Sequence, residues 1–139
     1  MAGPVLSSTR GVAIAEPIGW PLLPIPGEDG RLRYPDLATS VRERIEAIVR
    51  TAPGEQLMRP GFGVGLERLV HQPNTLALRS EIESRMAEHL AAFEPRILVD
   101  RIVVSEAEGG RSLLVSIAYR LRATGIAGRI SARVAVGEA

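Results

Sequence analysis

The residues in this 139-residue chain best placed to do chemistry are a charged corner, Glu94-Pro95-Arg96, and a scatter of carboxylates and histidines. Pro95 fixes its own φ and disfavours helical geometry at Glu94, so the two charges flank a rigid point. Arg96 can grip a carboxylate with two parallel hydrogen bonds. Such a corner suits docking onto a partner, and it equally suits an internal pair that holds the bend; the spacing alone leaves both readings open. Cleaving a glycan would ask for two carboxylates across a cleft, one of them kept protonated by apolar surroundings. Glu55, Glu67, Glu94 and Asp100 are available, but any chain with sixteen acidic residues offers pairs. Glu67, Glu81, Glu83 and Glu88 fall at helical positions that suit a solvated face. His71 and His89 lack the short spacing that sets two metal ligands on one helical face. There is no cysteine, which closes disulfide, thiolate and Cys-zinc chemistry. No serine sits in a Gly-x-Ser-x-Gly elbow. Gly61, Gly63 and Gly65 superficially suggest a phosphate loop, but no strand clearly precedes them, the chain has no Walker lysine, and the third glycine is wrongly spaced. The expectation is no catalytic residue, no metal and no cofactor.

Composition narrows the partner classes. All seventeen basic residues are arginine, interspersed with sixteen acids for a net charge of +1, and the aromatics are one Trp, two Tyr and two Phe. A nucleic-acid binder would show a concentrated basic stripe with aromatics for stacking, so no nucleic-acid partner is expected. No segment reaches the eighteen or so apolar residues of a membrane span, and the first residues lack a signal peptide's pattern. The reading is a soluble cytoplasmic product without direct membrane insertion.

The elements that must position the corner follow from periodicity. Residues 1–36 hold six of the ten prolines and read as an extended arm, with an apolar run from Gly19 to Pro26 that must find a groove. Val41, Ile45, Ile48 and Val49 recur at helical spacing, with Ser40 and Glu43 fitting a capping box, so a helix runs from 37 or 40 to 51. Pro53-Gly54 ends it, and 56–65 is a tightly specified loop. A short helix over 66–70 follows. Asn74 or Thr75 then caps a long helix with Leu78, Ile82, Met86, Leu90 and Phe93 along one side, ending by Glu94. From Ile97 the period becomes extended: strands over 97–105 and 112–122 are joined by a Glu108-Gly109-Gly110 turn, and a last strand runs over 129–136. The class is α+β: an arm, two main helices with a short one between, and an antiparallel three-stranded sheet. One domain over 37–139 is expected, with a sheet edge left open near the C-terminus.

Three blocks lie in order: Arg50-Thr51-Ala52-Pro53-Gly54-Glu55, Met58-Arg59-Pro60-Gly61-Phe62-Gly63, and Phe93-Glu94-Pro95-Arg96-Ile97. Together they resemble the phage baseplate assembly protein W family, which includes the T4-type wedge sheath initiator and the TssE subunit of type VI secretion. The resemblance covers about 19–121. It implies a structural subunit of a phage tail or contractile injection particle, present in six copies, with baseplate wedge proteins and sheath subunits as partners and contact to tube or hub proteins. Cytoplasmic assembly and no enzymatic activity are implied too. It assigns wedge docking to Glu94, Pro95 and Arg96. It assigns loop shaping to Arg59, Pro60, Phe62 and Gly63, with Gly61 standing where the family often has an acid. A sheath-handshake-like sheet is implied, with Leu113, Val115, Ile117, Tyr119, Leu121, Ile130 and Val134 on the sheath-contacting strands, built upon by strand addition. The rival readings are a lysozyme-like, peptidoglycan-cleaving baseplate enzyme and a generic interaction adaptor.

Overall fold

The computed structural model describes residues 25–69, 71–107 and 109–135. The apolar run around Trp20 and the end of the last strand at Val136 lie outside them. Helix α1 spans Leu37–Arg50, α2 Leu66–Leu69 and α3 Leu76–Phe93; strands β1 Ile97–Glu106, β2 Ser112–Leu121 and β3 Ala127–Ala135 follow. The strands form one antiparallel meander in the order β1-β2-β3. The α+β order expected from periodicity is therefore the observed one.

Local chemistry sets the helix ends. Asp36 is the N-cap of α1 and accepts the Thr39 amide at 2.7 Å. The Ser40–Glu43 capping box is not formed. Ser40 instead sits one turn inside the helix, buried, with its own amide donating to the Asp36 carbonyl. A carboxylate directly after Pro35 begins the helix earlier than the serine could. Thr75 caps α3 as its spacing suggests, accepting from the Leu78 amide at 3.1 Å.

The inward faces of both helices and the sheet meet in one core. Val41, Ile45, Ile48, Ile82, Met86, Leu90 and Leu113 are wholly shielded from solvent, and each large side chain there contributes about 1.5–3 kcal/mol. α3 lies along β1 and packs on α1. β1 carries a register shift between Val99 and Arg101, which leaves Asp100 out of the ladder and free to take Arg120 in a bidentate pair.

The loop between α1 and α2 folds back on the end of α1. The Val64 and Gly65 amides donate to the Ile48 and Thr51 carbonyls at 2.9 and 3.0 Å, satisfying acceptors that a helix end leaves open. Gly63 makes this approach feasible: its φ is +102°, and a Cβ there would lie 2.1 Å from the Thr51 carbonyl oxygen. Gly61, by contrast, has open space where a Cβ would be.

Gly63→Ala should therefore cost roughly 2–4 kcal/mol in urea unfolding, while Gly61→Ala stays within about 0.5 kcal/mol. Acid unfolding gives a second check. Thr39, through its hydroxyl and then its amide, holds the Asp36 carboxyl below its ordinary value of 3.8. A folded value below the unfolded one means that this stabilisation is complete above that ordinary value and is lost as pH falls through the lower, folded one. The stability advantage of the native protein over Asp36→Ala should hold at neutral pH and shrink in strong acid.

Candidate functional site

The corner after α3 begins with a helix that cannot continue. Pro95 forces Glu94 out of helical geometry, to φ −128° and ψ 77°, while the Glu94 amide still closes the helix on the Leu90 carbonyl at 2.9 Å. This turns the Glu94 side chain inward, where its carboxylate is 1% exposed. Arg96 folds back over it. Its Nε donates to Oε1 at 2.7 Å, its Nη2 to Oε2 at 2.6 Å, and its backbone amide to Oε1 at 3.2 Å. The third arm of the guanidinium, Nη1, donates to Ser40 Oγ on α1 at 3.1 Å. Carboxylate and fork thus pair within the chain, while 37% of the Arg96 side chain stays exposed. The Glu94 hydrogen bond pushes the Arg96 pKa further up.

The corner is also tied to the sheet. The Arg122 amide donates to the Arg96 carbonyl at 2.9 Å, and Arg122 Nε donates to the Ile97 carbonyl at 3.1 Å. Tyr119 lies near Glu94 and Arg42, and burial pushes its phenol pKa up. Its ring covers Gly128 across the β2–β3 pair, where a Cβ would lie 2.5 Å from the ring.

The structure brings the loop residues to this corner through aromatic contacts. Phe62 is fully buried and meets Phe93 edge-on, with centroids 5.2 Å apart. Phe93 stacks in turn on His89. The Arg44 guanidinium lies over the Phe62 ring, 4.9 Å from its centroid. Arg59 is exposed on the loop, where the Phe62 amide donates to its carbonyl and the Gly54 amide to that of Pro60. Desolvation first, then the nearby Arg59, lowers the Arg44 pKa.

Ser40 and Arg44 belong to the site although the motif reading did not select them. The signal was present: position 44 follows Val41 by three and precedes Ile45, placing it on the flank of the buried stripe of α1. The residues assigned to sheath contact divide differently. Leu113, Val115, Ile117, Tyr119 and Leu121 point into the core from β2, the central strand, whose two main-chain edges are both taken. Ile130 and Val134 are on the inner face of β3, an edge strand.

The matched geometry has relatives. A family model described as Baseplate wedge protein gp25 matches residues 35–125, the span from the cap of α1 through the β2–β3 turn. The chain belongs to the baseplate wedge protein gp25 family. Among solved structures, a Geobacter sulfurreducens protein named as a tail lysozyme is similar at 29% identity and TM-score 0.69, over 78% of this chain and 98% of that one. A chain of the anti-feeding prophage baseplate matches at 18% identity and TM-score 0.59, over 87% of this chain and 88% of that one. A chain of the post-contraction pyocin R2 baseplate matches at 24% identity and TM-score 0.53, over 86% and 99%. No curated protein matches. Membership makes this family member a baseplate subunit of a phage-tail-like contractile system, in contact with other baseplate components. Among the described residues no cluster of acids and histidines could hold a metal ion, and no helix is long and apolar enough to cross a membrane.

Removing either half of the corner should be unequal in effect. Arg96→Ala strands a buried carboxylate and should cost about 3 kcal/mol in urea unfolding at neutral pH. Glu94→Gln leaves a guanidinium that can still reach water and should cost roughly half as much.

Proposed function

We propose that this subunit docks on its wedge partners through the Glu94-Pro95-Arg96 corner and starts sheath assembly by accepting a strand on β3. The unit from residue 37 onward would carry both tasks, with 1–36 as an arm and six copies around the tube. It would act during cytoplasmic assembly and remain in the particle.

The observation that carries the sheath part is that the two edges of the sheet are unlike. On β1 the Val104 amide points away from the sheet and donates to Glu83 Oε1 of α3 at 2.9 Å, so a helix side chain occupies that edge. Val104 lies opposite Val115, and Val115 opposite Ala132. Antiparallel alternation then turns the Ala132 amide toward β2 and the Ser131 and Arg133 amides outward. Neither outward amide has a hydrogen-bond partner outside the ladder among the described residues, although nearer the start of the strand the outward Arg129 carbonyl accepts from Arg42 Nη2 of α1 at 3.4 Å. Beside this edge, between α1, α3 and β3, runs a cleft of about 510 Å³ lined by Val49, Met86, Ile130 and Val134 and also by the charged Glu46 and Arg50. An extended segment added to β3 would gain main-chain hydrogen bonds and set alternate side chains toward that cleft. Because β2 is central, the contact would fall on β3 and not on the main chain of β2.

The docking part draws support from the rigidity of the corner. Arg96 keeps 37% of its side chain exposed while Glu94 is enclosed, so the arginine is the half that can meet a partner. The lysozyme-like alternative has less behind it. Glu94 is spent on Arg96, Asp100 on Arg120, and Glu55 Oε2 accepts the Ala52 amide at 2.8 Å.

Proline at two neighbouring positions of β3 tests the edge. Arg133→Pro removes an outward amide and should leave the domain folded, within about 1 kcal/mol, yet unable to template sheath in electron micrographs of co-expressed particles. Ala132→Pro removes a ladder bond and should cost about 3 kcal/mol. Normal sheath on the folded Arg133→Pro protein would remove the strand-addition mechanism.

A further inference from the structure

Three guanidiniums gather around the Phe62–Phe93 pair, and only one is neutralised. Arg96 is matched by Glu94, whose two oxygens it occupies. Arg44 lies over the face of Phe62, and Arg59 is held three residues before it by the turn from the Phe62 amide to the Arg59 carbonyl at 2.9 Å. Neither Arg44 nor Arg59 forms an ion pair with a described residue. Crowding of like charge costs free energy, and Arg44 feels Arg59 most, with Glu94 offsetting the weaker push of Arg96. A fold that keeps such a cluster without a second carboxylate leaves about two positive charges for something outside it.

The loop adds an apolar feature directly beside the charge. Leu57 is 99% exposed and Met58 93% exposed. A lone exposed apolar side chain is ordinary, but these are two adjacent large ones on a loop with several hydrogen bonds on either side of them. Ala52 to Glu55 Oε2, Gly54 to Pro60, and Arg59 to Gln56 hold its shape at 2.8, 2.8 and 3.2 Å. Such a loop presents Leu57 and Met58 at little further ordering cost on binding.

We infer that Arg44, Arg59 and Arg96, with Leu57 and Met58 as an apolar tip, form one docking surface for an acidic amphipathic segment of another baseplate subunit. This rests on the wedge-docking reading and gives that partner its chemistry: carboxylates that fork onto Arg59 and Arg44, and apolar side chains that cover the tip. A nucleic acid would answer the charge but leave the tip in water, so a protein segment is favoured.

The test uses the full chain and purified wedge subunits of the same particle, with affinities measured by calorimetry at 0.15 M and 0.5 M salt. Arg59→Glu and the double variant Leu57→Ser/Met58→Ser change only exposed side chains, and circular dichroism confirms their folding. Each should weaken binding about tenfold, and high salt should weaken native binding while Arg85→Glu, on the exposed side of α3, leaves it unchanged. If Arg96→Gln, shown to be folded, abolishes binding while Arg59→Glu and the double variant bind as the native protein does, the docking reading stands and this surface is wrong. If the native protein binds no wedge subunit, both fall. Single-stranded DNA bound in place of the subunits, with Arg59→Glu abolishing it, would also overturn the proposal.

Discussion

A carboxylate buried to 1% exposure is the constraint on which this fold turns. Taking a charge out of water costs several kcal/mol unless its lone pairs are answered, and Glu94 lies where α3 stops and β1 begins. The answer comes from Arg96, two residues away, whose fork and backbone amide together serve both oxygens. Arg96 then binds Ser40 on α1, and the Arg122 amide binds the Arg96 carbonyl. One desolvated charge thereby joins the first helix, the end of the last helix, the first strand and the end of the second.

A second joint lies at the end of α1. There the loop carrying Phe62 returns against the helix because Gly63 permits contact with Thr51, and Phe62 is then pressed against Phe93 at the corner. The two joints share this aromatic contact, so the positions of Arg44 and Arg59 depend on the same packing that buries Glu94. Elsewhere helix side chains meet both sheet edges, Glu83 on the Val104 amide of β1 and Arg42 on the Arg129 carbonyl of β3, but the outward Ser131 and Arg133 amides of β3 face a cleft of mixed polarity.

Much of this was legible from residues in order. The stripe Val41, Ile45, Ile48 and Val49, the stripe Leu78, Ile82, Met86 and Leu90, and the alternation of Leu113 to Leu121 specify two helices and a strand because burial selects periods of 3.6 and 2. Thr75 and Pro95 bracket α3 by local hydrogen bonding and steric exclusion. The glycine-rich loop and the Gly109-Gly110 turn are conformational demands that need no distant partner. Family membership, too, was carried by three short blocks in the right order.

What the sequence by itself determined is therefore whatever depends on neighbours within a few positions: the elements, most of their ends, the meander and the rigid corner. The tertiary structure decided the rest. Asp36 displaces Ser40 as the cap by a local rule, but that Arg96 reaches the Ser40 hydroxyl from 56 residues away is visible only in the fold. Only packing could turn Glu94 inward and settle its charge on Arg96, and only packing could bring Glu83 of α3 onto the Val104 amide at the β1 edge. The bulge that frees Asp100 and the guanidinium over Phe62 likewise arise between distant segments. Short-range sterics and hydrogen bonds act through the order of residues along the chain, whereas a buried charge or an open edge exists only once distant segments have excluded water from one place and left it at another.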